Sequence, residues 1–327
     1  MKNLARFSLL LVVVLVVLSA YLRLHESGIG CPDWPACYGR IGTPPAESTA
    51  SLAGSAYQRI VAETDAPLAW TTPVHRLVAG LLGLAVLALN LLALRAGQFR
   101  LVSLALLALT VFLAWLGIRS GSLHHPGVVM GNLAGGFTML GLLGWLVFRL
   151  EPGAPKYTET RIGHLRGLTV AAIVVLCLQI LMGGLTSANF AATACRDLPD
   201  CQGGYLPDAT LYSALNLVRS HEVDSKGVAV GGPERVAIHR AHRIGSVLTL
   251  VFVLAAAIPA LFTISAMRRA ALFVMTLLVA EFVIGVAAIL TDLPMILAVS
   301  HNLLAALLLL GLLKVLAVSR ERLAPRV

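Results

Sequence analysis

Charge is scarce in this sequence. Of 327 residues, 13% are Asp, Glu, Lys or Arg and 58% are hydrophobic. A chain so poor in charge is not a soluble domain of this size. It also lacks a glycine-rich nucleotide loop, a serine-triad motif and a paired-histidine zinc-protease motif, so none of those chemistries competes for its function. Cysteine is limited to five residues.

What the chain has in abundance is hydrocarbon. A spanning helix needs about 20 apolar residues. Eight runs qualify, at 4–22, 74–94, 101–118, 127–148, 167–187, 242–264, 270–290 and 296–317. The fold class this implies is an all-α integral membrane protein with eight transmembrane helices. The first run follows Lys2 and Arg6, as a signal peptide would. Its apolar core is long, and no clean cleavage site precedes Tyr21 and Arg23, so it reads as a retained helix.

The net charge of +9 does not indicate nucleic acid; the partner it fits is the bilayer. Basic residues gather in the short loops of one side: Arg95 and Arg100; Arg149, Lys156, Arg161 and Arg166; Arg268 and Arg269; and Arg320, Arg322 and Arg326. By the positive-inside rule that side is cytoplasmic. The expectation is a multi-pass protein of a bacterial-type inner membrane with both termini in the cytoplasm. The long loops 23–73 and 188–241 then lie outside.

Four of the five cysteines fall in those outer loops. Cys31 and Cys37 share the first, and Cys195 and Cys201 share the second, while Cys177 is alone in a helix. The outer side is oxidising, so each loop pair reads as a disulfide. A four-sulfur zinc site is the rival, but the five-residue gap exceeds the usual two to four.

The chain reads as one unit written twice. Cys31 matches Cys195 at an offset of 164, and His75-Arg76 matches His242-Arg243 at 167. Gly117-Ile118 matches Gly285-Val286 at 168, and "MLGLL" matches "LLGLL" at 170. This predicts two tandem, pseudo-symmetric four-helix bundles, residues 1–150 and 167–327, joined by a cytoplasmic linker at 151–166. Such bundles can hold a cofactor between facing helices.

Histidines cluster at one end of the even-numbered helices. His75 begins the second, His124 and His125 precede the fourth, His239 and His242 begin the sixth, and His301 enters the eighth. His25, His164 and His221 read as solvated. Ionisable groups at membrane depth usually mark a site. Zinc wants three or four converging ligands, whereas haem iron takes one histidine from each of two facing helices. His242 and His301 form such a pair, with His242 preferred over His239 because it matches His75 and is deeper. Arg76 and Arg243 suit haem propionates, with interfacial snorkelling as the alternative. In the first half the position matching His301 falls at 131–133, where Asn132 is a poor iron ligand. His125 lies two turns farther out. Glu281, in the seventh apolar run, is the remaining acid of interest, and a protonated carboxyl donating to a neighbouring carbonyl accounts for it.

These residues resemble the haem A synthase family. "GCPDWPACYG" is similar to that family's first-loop cysteine motif, and "TSANFAATACRDLPDCQG" to its second. "HRLVAG", "HRIGS" and "SHNLLAALLL" stand where its histidine helices begin. The resemblance implies an oxidoreductase that converts the C8 methyl of haem O to a formyl group, making haem A for cytochrome oxidase assembly. It implies a resident haem b (iron protoporphyrin IX) on His242 and His301 in the second half. It implies a substrate haem O in the first half on His75, with Arg76, His125 and Asn132 around it, covered by the Cys31–Cys37 loop. Haem O synthase, oxidase assembly factors and a quinone or other electron acceptor are the partners it suggests. Two positions depart from the family. Thr72 stands where a glutamate is usual, and Asn132 where a histidine is usual. A haem-delivery protein without catalysis and a b-type electron carrier to quinone therefore remain alternatives.

Overall fold

The computed structural model describes residues 1–24, 71–119, 126–151, 161–218, 222–223, 229–230 and 232–319. Cys31, Cys37, His25, His124, His125, His221 and most of the linker lie outside these residues.

Eight helices are long and apolar enough to cross a membrane. They are α1 (Lys2–Leu24), α2 (Thr71–Ala96), α3 (Arg100–Arg119), α4 (Pro126–Leu150), α5 (Arg161–Ala188), α6 (Glu234–Leu261), α7 (Ser265–Leu290) and α8 (Met295–Ser319). Seven begin within six residues of the start of the apolar run. The exception is α6, which starts eight residues before its run. Its first turns, "ERVAIHRAH", are too polar for hydropathy to register. They form helix because Arg235, His239 and Arg240 find backbone acceptors in the preceding loop. A two-residue antiparallel hairpin, β1 (Glu222–Val223) with β2 (Ala229–Val230), is the one strand pair among the described residues.

Helices α1 to α4 close a ring in which each packs on the next and α4 returns to α1. Helices α5 to α8 close a second ring in the same way. Within each ring the second and fourth members stand diagonally opposite, with marginal contact at most. The rings meet where α8 packs on α1 and α4, and α4 packs on α5. Accordingly α4 is the most enclosed helix, half of its span buried, and α3 the least, at 17%.

Lipid is as apolar as leucine, so helix association rests on close packing and polar ties rather than on hydrophobic transfer. Small residues supply the closeness: Leu310 of α8 fills the space over Gly144 of α4. Leu140, Leu143, Leu308 and Leu312 fill the junction. Polar ties cross it at both ends. Glu151 accepts from Arg6 of α1 at 3.1 Å and from Lys314 of α8. At the opposite end Arg23 of α1 donates to Asn302 of α8 at 3.1 Å.

Candidate functional site

The second ring carries both histidines of the predicted pair. His242 lies in the third turn of α6 and His301 in the second turn of α8. Because α6 and α8 are diagonal, the two imidazoles come from opposite walls of the ring.

Each imidazole rests on a glycine of the neighbouring odd helix. A Cβ on Gly183 of α5 would stand 3.3 Å from His242 Cε1, and one on Gly285 of α7 would stand 3.2 Å from His301 Cε1. Each also has a polar side chain one helical turn away from that glycine. Gln179 Nε2 is 3.1 Å from His242 Nδ1 and donates to the His242 carbonyl at 3.0 Å. Glu281 Oε1 is 3.3 Å from His301 Nδ1. Sequence reasoning gave Glu281 a backbone carbonyl as its partner. Among the described residues its carboxyl lies instead beside the His301 ring, with neither Glu281 Oε2 nor His301 Nδ1 in a hydrogen bond. Gln179, Gly183 and Gly285 were missed as site residues. A lone amide in the apolar run "VVLCLQILMGG" was the available signal.

The second loop is stapled over this end. After a 3₁₀ turn at Ala191–Thr193, Cys195 and Cys201 are joined as a disulfide, both residues buried. Four side chains of α6 hold the loop by its carbonyls. Arg235 Nε donates to Phe190 at 2.7 Å. Buried His239 pairs through Nδ1 with the Ala191 carbonyl at 3.0 Å, so Nδ1 carries the proton. Arg240 donates to Cys201 at 2.7 Å and also reaches Leu206. Arg243 donates to Asp197 at 2.8 Å and to Cys195 at 3.1 Å. His239 is thus committed to the loop. Arg243, expected to meet a propionate, gives its terminal nitrogens to the loop; its buried Nε is left as the donor without a partner. The loop also reaches the first ring, where Gly127 N at the start of α4 donates to the Leu217 carbonyl at 2.9 Å.

In the first ring, Thr72, His75 and Arg76 occupy the first two turns of α2, and Asn132 the second turn of α4. Asn132 Nδ2 is buried without a partner. Glycine again meets apolar filling here: Leu113 and Leu116 of α3 lie against the positions of Gly135 and Gly131 of α4. His125 and the Cys31–Cys37 pair lie outside the described residues. Among the described residues no three His, Cys, Asp or Glu side chains converge on a metal-sized point.

Residues 2–313 match the COX15-CtaA family, described as cytochrome oxidase assembly protein. A protein named heme A synthase from Shewanella oneidensis is 34% identical over 314 residues, covering 95% of this chain and 94% of its own. One of the same name from Neorickettsia sennetsu is 24% identical over 330 residues, covering 92% and 93%. Another, from Rhizorhabdus wittichii, is 27% identical over 330 residues, covering 93% and 89%. A match of that extent, on a helical frame whose polar ends carry the expected histidines and cysteines, leads to one conclusion: the chain belongs to the COX15-CtaA family of cytochrome oxidase assembly proteins.

Proposed function

We propose that this multi-pass membrane protein is a haem A synthase, an oxidoreductase that takes the C8 methyl of haem O to a formyl group for cytochrome oxidase assembly. The family match and relatives of that name support the reading. The observation that carries it to particular residues is the diagonal pair of imidazoles, each with a glycine beneath its ring and a polar side chain near Nδ1. That donor set fits a haem iron, which takes one imidazole on each face of a flat macrocycle.

His242 and His301 would hold a haem b, which supplies a path for the electrons that the oxidation releases. Arg243 Nε is the donor available to a propionate. In the first ring His75 would hold the substrate, with Arg76, His125 and Asn132 around it and Thr72 beside it. The unpartnered Asn132 amide offers a hydrogen bond to a transient guest where a permanent ligand would need an imidazole. The rings are read as two tandem halves, 1–150 and 167–327. Their histidine end faces the outer side of a bacterial inner membrane, and both termini are cytoplasmic. The Cys31–Cys37 pair would cover the substrate, and electrons would pass to a quinone or other acceptor.

Haem analysis of cells carrying the protein tests this. Conversion of haem O to haem A should vanish with His75→Ala; conversion untouched by that change would refute the assignment. Thr72 and Asn132, neither of which is the family's usual acid or imidazole, favour the second reading, a haem-delivery protein. That reading predicts bound haem and no formyl product. A b-type carrier predicts quinone-linked redox change of the haem on His242 and His301, again without formyl product.

A further inference from the structure

The end of the rings opposite the histidines carries a cavity that the haem reading does not use. Its volume is about 480 Å³, and it is open-sided. Trp145 and Arg149 line it from the last two turns of α4, Arg166 from the second turn of α5, and Phe99 from the turn between α2 and α3. The cavity therefore lies where the first ring meets the second, and each ring supplies one arginine.

Arginine and tryptophan at a helix end need no special reason, because both favour the boundary between hydrocarbon and water. An arginine that merely snorkels delivers its whole head group to water. Arg166 does not. One terminal nitrogen donates to the Ser319 carbonyl at 2.6 Å, at the end of α8, where the last carbonyls lack an intrahelical donor. Its Nε is buried without a hydrogen bond. A charged donor taken from water and left unpaired is unfavourable unless a ligand accepts from it. Arg149 lies one turn beyond Trp145, its guanidinium carbon 5.7 Å from the centre of the indole ring. Glu151, two residues on, is already engaged by Arg6 and Lys314. Among the described residues neither cavity arginine has a carboxylate partner.

Two such guanidinium groups on one cavity call for an anion with several acceptor oxygens, and their planar forks match phosphate. Trp145 and Phe99 give the same cavity an apolar wall. A free phosphate ion uses the charge and not the wall; a phospholipid uses both. Basic pockets between membrane helices take anionic head groups in this way.

We propose that this cavity binds the phosphate head group of an anionic phospholipid. Arg149 and Arg166 pair with the phosphate oxygens, Trp145 and Phe99 lie along the glycerol and upper acyl chain, and the lipid joins α4 of the first ring to α5 of the second.

The test uses the delipidated full-length protein in neutral detergent, titrated with phosphatidylglycerol and followed by thermal unfolding and native mass spectrometry. Phosphatidylglycerol should raise the unfolding midpoint saturably, and one molecule should remain bound when the others are stripped. Phosphatidylcholine should do neither. Arg149→Gln and Arg166→Gln should each weaken phosphatidylglycerol about 5-fold, the worth of one basic side chain at an anionic surface, and together they should abolish the retained lipid. Arg268→Gln combined with Arg269→Gln removes the same charge from an exposed pair at the same end, outside the cavity, and should leave binding intact. If Arg166→Gln folds poorly for want of its bond to Ser319, Arg149→Gln decides, since that side chain is exposed. Equal losses in the two double variants would reduce the effect to general surface charge and overturn the proposal. Unchanged binding in Arg149→Gln would overturn it too, as would inorganic phosphate that binds as tightly as the lipid. Haem ligation by His242 and His301 enters none of these readouts, so this inference and the proposed function fail separately.

Discussion

The absent Cβ at two positions decides how the imidazoles sit. At Gly183 and Gly285 a methyl would press on His242 or His301 at 3.3 or 3.2 Å, closer than ordinary van der Waals contact. Overpacking of this kind costs about 1–3 kcal/mol. Gly285→Ala and Gly183→Ala should therefore each lower haem content and thermal stability of the loaded protein. Gly80→Ala on α2, where nothing lies within 4 Å, should be neutral or slightly stabilising. Equal effects at Gly285 and Gly80, measured by pyridine haemochrome and thermal unfolding, would contradict this account. The sequence displays the histidines because an ionisable group stands out in a hydrocarbon run. It hides their glycine supports because glycine is common in membrane helices and carries no mark of what lies across from it. Glu281 was visible for the same reason as the histidines; its neighbour was not, because that depends on the rotation of α7 against α8.

Among the elements, the second loop with the start of α6 was least legible. The cysteine pair could be read from compartment and spacing. The arginines could not, because their acceptors are backbone carbonyls, which every residue has. The magnitudes nevertheless favour the arginines. A disulfide closing a loop of sequence separation 6 contributes about 2 kcal/mol through chain entropy. Hydrogen bonds from charged groups contribute about 1.5–3 kcal/mol each, and Arg235, Arg240 and Arg243 all donate to this loop. Arg240→Ala should therefore expose the loop to protease more than Cys201→Ser does. It should also make the Cys195–Cys201 bond easier to reduce and alkylate. The opposite ranking in limited proteolysis would show that the disulfide dominates. At the offset of 167 the sequence positions matching Arg235, His239 and Arg240 are Leu68, Thr72 and Pro73. Only Arg243 has a counterpart there, Arg76, so the two loops cannot be anchored by one common set of side chains.

For the molecule as a whole, the repeat read from the sequence does not say which helices join its two halves. Internal similarity says nothing about a surface that each half presents only once. That joint runs through α8 against α1 and α4, and one acid ties all three helices at a single point. Glu151, just past the end of α4, meets Arg6 of α1 and Lys314 of α8, and the Lys314 ammonium lies 5.0 Å from the centre of the Phe148 ring. Burial raises the Glu151 carboxyl, but the hydrogen bonds from Lys314 and Arg6 outweigh it and hold the group below the usual carboxylate range. A carboxyl held low in the fold contributes stability above its unfolded value and loses it as pH falls through the lowered one. Arg6 is half exposed, so each pair is worth only about 0.2–1 kcal/mol after screening. Glu151→Gln should accordingly cost about 1 kcal/mol near neutral pH, read as a lower thermal midpoint in detergent. The gap between variant and wild type should narrow as the buffer is acidified below the ordinary glutamate value of about 4.3. It should narrow with added salt as well, because exposed charges are screened. A gap that stays constant in acid and in salt would mean that the cluster acts through packing alone and that charge does not hold α1, α4 and α8 together.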